Sequence, residues 1–126
     1  MAGEQILVVE DNEKNMKLFR DVLQASGYQT LEATTGGRAL TLAAEHGPAV
    51  VLMDIQLPDM DGLETLRRLR SDARTATIPV LAVTAQAMRG DRERFIAAGF
   101  DAYLSKPVDV DELLDAVRRH CPGDDA

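Results

Sequence analysis

The sequence is short of cysteine, of basic residues and of long apolar runs, and each shortage excludes a class of protein. A single cysteine, Cys121, cannot form an internal disulfide, which fits a reducing compartment. The N-terminal stretch MAGEQILVVEDNE has no basic region and no long apolar segment, so it is typical of neither a signal peptide nor a membrane span. With 14 Lys and Arg against 21 Asp and Glu, the net charge is −7, which disfavours general binding to nucleic acid or anionic membranes. We therefore expect a cytoplasmic protein with no direct DNA binding and no membrane contact.

The sequence does contain enough apolar material for one globular domain. The chain has 126 residues, and 45% of them are hydrophobic. No linker, repeat or low-complexity segment interrupts it, and only the final PGDDA is typical of a loose end. We expect a single domain over residues 1–126, with its core at about 4–120 and a loose tail at 122–126.

Short apolar runs alternate along the chain with segments in which apolar residues recur at helical spacing. The predicted strands are 5–9, 28–33, 49–53, 78–84 and 101–105, and the predicted helices are 12–27, 35–47, 63–71, 88–98 and 110–117. This alternation predicts right-handed crossovers and a parallel sheet covered on both faces. The first, third and fourth strands are the most apolar and belong in the middle, whereas the second alternates and belongs at an edge. The expected fold is α/β, a doubly wound (βα)5 flavodoxin-like domain with a five-stranded parallel sheet in the order 2-1-3-4-5.

Polar side chains stand at the carboxyl ends of four of these strands, where open parallel sheets bind their ligands. They are Glu10 and Asp11 after the first strand, Asp54 after the third, Thr84 at the end of the fourth and Lys106 after the fifth. Two unit charges at about 4 Å repel by on the order of 4 kcal/mol at an effective dielectric of 20, so three acids at one edge require either protonation or a bound cation. A hard oxygen-seeking dication such as Mg²⁺ suits acids with no His or Cys nearby. A carboxylate neutralised in this way can act as a nucleophile towards a phosphoryl group.

Four stretches in this order, VVEDN, LMDIQLPDMDG, AVTA and YLSKP, resemble the signature stretches of two-component response-regulator receiver domains. The resemblance covers essentially the whole chain. Within the family, the sequence is most similar to single-domain receivers of the bacterial cell-division type and to receivers attached to hybrid histidine kinases.

The resemblance implies a role for each residue that matches a family motif. Asp54 matches the phosphoacceptor, and Lys106 matches the lysine that contacts the phosphoryl group. The metal site would be formed by Asp11, Asp54 and the main-chain carbonyl of Gln56, with Glu10 as a second acid that acts through water, and the ion would be Mg²⁺ or Mn²⁺. Thr84 and Tyr103 match the switch pair, and the Lys106–Pro107 bond matches one that is often cis in the family.

The function that the resemblance implies is a stand-alone phosphorylation switch. A histidine kinase or histidine phosphotransfer protein would phosphorylate Asp54, and the face made by the fourth helix, fifth strand and fifth helix would then change for a downstream protein target. The chain would catalyse only its own phosphorylation and slow dephosphorylation, as a monomer or a weak phosphorylation-linked dimer. We further expect Gln56 and Gln86 to set the phosphate lifetime, because both flank the phosphoryl path. The alternatives are a receiver module of a hybrid histidine kinase and, remotely, a flavin- or nucleotide-binding module of the same fold.

Other residues receive structural interpretations. Asp61-Gly62 is typical of a turn that leads into a helix. Gly36-Gly37 is not a phosphate loop, because no Lys-Ser/Thr follows it. His46 and His120 are expected to be structural or surface residues. The arginines of residues 88–94 belong either to a solvated helix face or to a partner surface, and the sequence leaves that choice open.

Overall fold

The computed structural model of the chain describes residues 3–85 and 88–121, in which strands and helices alternate from end to end. The strands are β1 Gln5–Val9, β2 Gln29–Ala33, β3 Val50–Asp54, β4 Val80–Thr84 and β5 Ala102–Ser105. The helices are α1 Glu13–Ala25, α2 Gly36–His46, α3 Gly62–Ser71, α4 Asp91–Ala98 and α5 Val110–His120. The predicted tail, residues 122–126, lies outside the described residues.

All four strand pairings are parallel, and the sheet order is β2-β1-β3-β4-β5, as predicted. Every residue of β3 and β4 is buried, because helices cover both faces of the sheet. The side chains form two apolar clusters, one on each face: Leu7, Val51 and Met53 lie in one, and Ile6 and Leu52 lie in the other. The alternation of β-strand side chains therefore divides the core into two layers.

Side-chain caps set the starts of three helices. Asn12 Oδ1 accepts a hydrogen bond from Asn15 N at 3.0 Å and caps α1, and Thr35 Oγ1 accepts one from Arg38 N at 3.1 Å and caps α2. Asp61 Oδ1 accepts from Glu64 N at 2.8 Å and caps α3. The expected turn at Asp61-Gly62 is confirmed, because this capped turn leads directly into the helix.

The predicted start of the fourth helix, at Met88, is wrong by three residues. The helix begins at Asp91, because Gly90 takes a φ of 84°, which lies outside the right-handed helical region. The Asp91 carboxylate accepts a hydrogen bond from Met88 N at 2.9 Å, so the residues before the helix form a turn. The predicted strands 28–33, 49–53 and 101–105 each begin one residue early and 78–84 begins two residues early, and β3 extends to Asp54 itself.

None of the helices in the described part of the chain has the length and apolar character needed to cross a bilayer.

Candidate functional site

Polar side chains from four strands meet at the sheet edge where the strands' carboxyl ends lie. Glu10 and Asp11 follow β1, Asp54 ends β3, Thr84 ends β4 and Lys106 follows β5. One carboxylate oxygen each from Glu10, Asp11 and Asp54 lies within 4.8 Å of the other two. The three acids therefore gather at one edge as the strand order requires, with Asp11 exposed and the other two buried.

Asp54 is held from two sides and is only 6% exposed. Its Oδ1 accepts a hydrogen bond from the main-chain N–H of Gln56 at 3.0 Å. Its Oδ2 accepts one from the ammonium group of Lys106 at 3.1 Å. Because a carboxylate oxygen has two lone pairs, each oxygen retains one for a further partner.

Glu10 is more deeply buried than Asp54, with 1% of its surface exposed. Its Oε2 accepts a hydrogen bond from Asn12 N at 3.1 Å. Its Oε1 lies 2.8 Å from Lys106 Nζ and forms a close ion pair with it. The ammonium group therefore pairs with one oxygen of this buried carboxylate, and Asn12 N donates to the other.

The pKa values of Glu10 and Lys106 follow from this arrangement. Burial raises the pKa of Glu10, the Lys106 ammonium opposes that shift, and the charge of Asp54 adds to it. Burial alone would lower the pKa of Lys106, but its hydrogen bonds and charge interactions with Glu10 and Asp54 outweigh burial, so the pKa is raised. Lys106 is therefore a permanent cation at neutral pH and neutralises part of the acidic cluster.

The donor atoms at this edge fit a magnesium ion. The cluster offers only carboxylate oxygens, which Mg²⁺ prefers, and contains no thiolate or imidazole. One acid is exposed, so an ion could enter and keep part of its water shell, as Mg²⁺ commonly does. A single ammonium against three acids also leaves an excess of negative charge for a dication to balance.

Thr84 and Tyr103 lie on the same face of the sheet. The register pairs Tyr103 with Ala82, and Thr84 is two residues further along β4, so the two side chains are diagonal neighbours. Thr84 is 4% exposed. The Tyr103 ring stacks on Phe95 of α4, with centroids 5.6 Å apart and an interplanar angle of 21°.

The hydroxyl of Tyr103 is buried and has no hydrogen-bond partner within the described residues. Burial and then the charge of Asp91 raise its pKa, and Arg94 partly offsets both. The ring packs against Phe95 of α4, and no group in the described part of the chain hydrogen-bonds its hydroxyl.

Residues 6–118 match the family model described as the response regulator receiver domain. The chain belongs to this family. It is 49% identical over 117 residues to the polar-differentiation response regulator DivK of Brucella ovis, an alignment that covers 93% of this chain and 95% of that protein. The expected similarity to single-domain cell-division receivers is thereby confirmed.

Solved receiver structures agree with the fold of this receiver domain. One is the receiver domain of a sensor histidine kinase from Pseudomonas aeruginosa PAO1, which has a magnesium ion coordinated in its active-site cleft. That structure is 35% identical, has a TM-score of 0.86, and the alignment covers 94% of this chain and 98% of the other. Another is the chemotaxis protein CheY4 of Vibrio cholerae, which is 26% identical with a TM-score of 0.86, over 94% of this chain and 99% of the other.

Two of the remaining predicted site features, Gln56 and the Lys106–Pro107 bond, lie in loops of the receiver domain. The Lys106–Pro107 peptide bond is cis, as the family resemblance implied. Gln56 lies two residues beyond β3 and is exposed. Gln86 lies outside the described residues.

Asp59 is a residue whose role the sequence did not indicate. Its Oδ1 accepts a hydrogen bond from Gly36 N at 2.8 Å, and its Oδ2 accepts one from Gly37 N at 2.9 Å. These bonds join the loop after Asp54 to the first turn of α2, and they lower the pKa of Asp59, the Gly37 bond contributing most. The only signal in the sequence is an acid in one loop and a Gly-Gly pair at a distant helix start, which by themselves do not predict a contact.

Proposed function

We propose that this receiver domain is a stand-alone phosphorylation switch in which Asp54 accepts a phosphoryl group from a phosphohistidine. The donor is a histidine kinase or a histidine phosphotransfer protein. The observation that supports this proposal most directly is the contact between Asp54 Oδ2 and Lys106 Nζ within a cluster of three acids. This arrangement supplies both a nucleophile and a fixed positive charge beside it.

In the proposed reaction an Asp54 carboxylate oxygen attacks phosphorus in line with the phosphorus–nitrogen bond of the phosphohistidine. That bond breaks, its electron pair stays on the imidazole, and an aspartyl phosphate forms. Lys106 neutralises charge on the phosphoryl oxygens, and Gln56 N holds the carboxylate in position. A Mg²⁺ or Mn²⁺ ion bound by Asp11, Glu10, Asp54 and the Gln56 carbonyl would neutralise further phosphoryl charge.

The proposed output is a change in the face formed by α4, β5 and α5. The phosphorylated Asp54 would offer an acceptor oxygen to the Thr84 hydroxyl, and Tyr103 would respond because it shares that face of the sheet with Thr84. The Tyr103 hydroxyl, which has no hydrogen-bond partner among the described residues, supports this, since a different position of α4 could provide one. Phosphorylation would thus bias two pre-existing states, and the altered face would bind a downstream protein.

The switch would reset by slow hydrolysis, with water attacking the aspartyl phosphate. We propose that Gln56 and Gln86 set this lifetime, so Gln56→Ala and Gln86→Ala should each change the decay rate of purified phosphoprotein. Unchanged decay in both variants would refute this part. The domain would otherwise turn over no free substrate, and it would work in the cytoplasm as a monomer or a weak phosphorylation-linked dimer.

The deciding experiment is phosphorylation by acetyl phosphate in the presence of Mg²⁺, followed by intact-protein mass spectrometry. We expect wild type to gain one phosphoryl group and Asp54→Asn to gain none. Asp21→Asn, which alters an exposed acid on α1, is the matched control and should label like wild type. Equal labelling of Asp54→Asn and wild type would refute the proposal.

One alternative has a specific observation in its favour. The similarity to the receiver domain of a sensor histidine kinase also fits a receiver module of a hybrid kinase. The site chemistry would be the same, and only the phosphodonor would differ. A flavin- or nucleotide-binding role is disfavoured, because Glu10 and Asp11 would repel a phosphate at the turn after β1.

A further inference from the structure

The segment between Asp54 and α3, residues 55–61, is fixed at both of its ends. We name it the phosphoacceptor loop. At its start, Ile55 N donates to Val83 O at 3.0 Å, and at its end Gly62 N donates to Ile55 O at 2.7 Å. The Gly62 N–H thus joins the end of the phosphoacceptor loop to its first residue. These bonds fix where the loop leaves and rejoins the fold, but they leave its middle to other contacts.

The middle of the phosphoacceptor loop is held by Asp59, which binds α2 with both carboxylate oxygens. The first N–H groups of a helix have no partner within the helix. In α2, Asp59 accepts from the first two, Gly36 and Gly37, and Thr35 accepts from the third, Arg38. The contact joins residues that are 22 and 23 positions apart in sequence. It therefore anchors the loop to a rigid helix.

Close packing at Gly36 strengthens this anchor. A Cβ atom on Gly36 would lie 2.6 Å from Met60 Cγ and 2.7 Å from Thr65 Oγ1. The first turn of α2 thus lies directly against the phosphoacceptor loop and the start of α3, and only a residue without a side chain allows that approach. Asp59 and Met60 both meet α2 at this point.

We propose that Asp59 is a positioning residue for the metal site, because it fixes the loop that carries the Gln56 main-chain carbonyl. The inference rests on the proposed function, which makes that carbonyl a metal ligand. Gln56 lies three residues before Asp59 in the same short loop, so the α2 anchor limits where its carbonyl can point. Because the Gln56 carbonyl is already held in place, ion binding does not have to order it, and the Mg²⁺ affinity is higher than it would be with a free loop.

The test is a Mg²⁺ titration of the metal-free protein, followed by amide chemical shifts in two-dimensional NMR. Loss of an outer-shell partner commonly weakens metal affinity about 10- to 100-fold, and because Asp59 acts through the main chain we expect Asp59→Ala to weaken it about three- to tenfold. The Mg²⁺ affinity of Asp59→Asn, which keeps one acceptor oxygen, should lie between those of Asp59→Ala and wild type. The Gly36 and Gly37 amide resonances should move upfield in both variants, since they lose a charged acceptor.

The matched control is Thr35→Ala, which removes the other cap of the same helix end but leaves the phosphoacceptor loop untouched. It should lower the unfolding free energy and leave the Mg²⁺ affinity unchanged. Equal Mg²⁺ affinities for wild type, Asp59→Ala and Asp59→Asn would overturn the inference. A loss of Mg²⁺ affinity in Thr35→Ala as large as that in Asp59→Ala would also overturn it, because it would show that lower stability of the fold alone weakens Mg²⁺ binding. A wild-type protein that binds no Mg²⁺ would overturn the proposed function together with this inference.

Discussion

Lys106 Nζ lies 3.1 Å from Asp54 Oδ2, although 52 positions separate the two residues in sequence. The contact exists because parallel strands end at a common edge, where β5 delivers the lysine and β3 the acid. The same ammonium lies 2.8 Å from Glu10 Oε1, so one cation serves two buried carboxylates from different strands. Lys106 is therefore the electrostatic link across the site.

Replacing Lys106 by alanine should slow phosphorylation from acetyl phosphate in saturating Mg²⁺. Removing one preorganised charge partner of a transition state typically costs roughly 10²-fold in rate, and we expect a loss of that order. The rate can be followed by intact-protein mass spectrometry. Lys17→Ala is the control, because Lys17 is an exposed lysine that pairs with Asp21 on α1, and it should retain the wild-type rate. A wild-type rate in Lys106→Ala would contradict the role given to this residue.

Magnesium should stabilise the folded protein, because three acids at one edge have a single ammonium between them. At roughly ten times the dissociation constant, binding to the folded state alone adds about 1.4 kcal/mol to the free energy of unfolding. Urea unfolding followed by circular dichroism can measure this. In Asp11→Asn the gain should shrink, and NaCl at the same ionic strength should not reproduce it in wild type. A magnesium effect of equal size in Asp11→Asn would argue against the site.

The strand order could be predicted because burial leaves a clear pattern in this chain. The run 49–53 is apolar throughout, as a strand covered on both faces requires, whereas 28–33 alternates and lies at the edge. The strand order in turn predicts that the acids and Lys106 meet at one edge of the sheet, since parallel strands place their carboxyl ends together. In these cases a local pattern determined a long-range arrangement.

Contacts that depend on exact loop geometry could not be predicted in this way. The bond from Gly36 N to Asp59 joins residues 23 positions apart, and neither residue shows an unusual local pattern. The sequence pattern predicts too early a start for α4, because the residues before it continue a helical composition. The left-handed backbone at Gly90 and the bond from Met88 N to the Asp91 carboxylate delay the start of the helix to Asp91, and both are local features of backbone geometry that a helical composition does not reveal.

Alanine substitutions at Gly62 and Gly37 should have different effects on the free energy of unfolding. A Cβ on Gly62 would lie 2.9 Å from Ile55 Cα, a backbone atom that cannot move away easily, so Gly62→Ala should cost about 1–3 kcal/mol of unfolding free energy. A Cβ on Gly37 would meet only Asp59 Oδ2 at 3.4 Å, so Gly37→Ala should be neutral or stabilise by up to about 1 kcal/mol. Thermal and urea unfolding measure both variants. Equal effects would mean that the close approach at Gly62 does not limit the fold.

Tyr103→Phe should leave the free energy of unfolding unchanged or raise it by up to about 1 kcal/mol, because it removes a buried hydroxyl that has no hydrogen-bond partner among the described residues. Tyr103→Ala is the comparison and should destabilise, since it removes the ring that stacks on Phe95. Urea unfolding of the unphosphorylated proteins measures the difference. A clear loss of stability in Tyr103→Phe would show that the hydroxyl does make a stabilising contact.

The hydrogen bonds from α2 to Asp59 should make the free energy of unfolding depend on pH in the acid range. The hydrogen bonds from Gly37 and Gly36 hold the pKa of Asp59 below its ordinary value of 3.8 in the folded protein. A carboxyl whose pKa is lowered by folding stabilises the fold fully above its unfolded pKa, and the contribution is lost as the pH falls through the folded pKa. The difference in unfolding free energy between wild type and Asp59→Asn should therefore be constant above that ordinary value and should narrow as the pH falls below it.

The measurement is urea unfolding of metal-free protein across the acid range, followed by circular dichroism. Thr35→Ala provides the control, because it weakens the same end of α2 without removing a titratable group. Its difference from wild type should not change with pH. If the Asp59→Asn difference were equally independent of pH, the carboxylate would not be ionised against the α2 amides, and the anchor would lose the charge that strengthens its two hydrogen bonds.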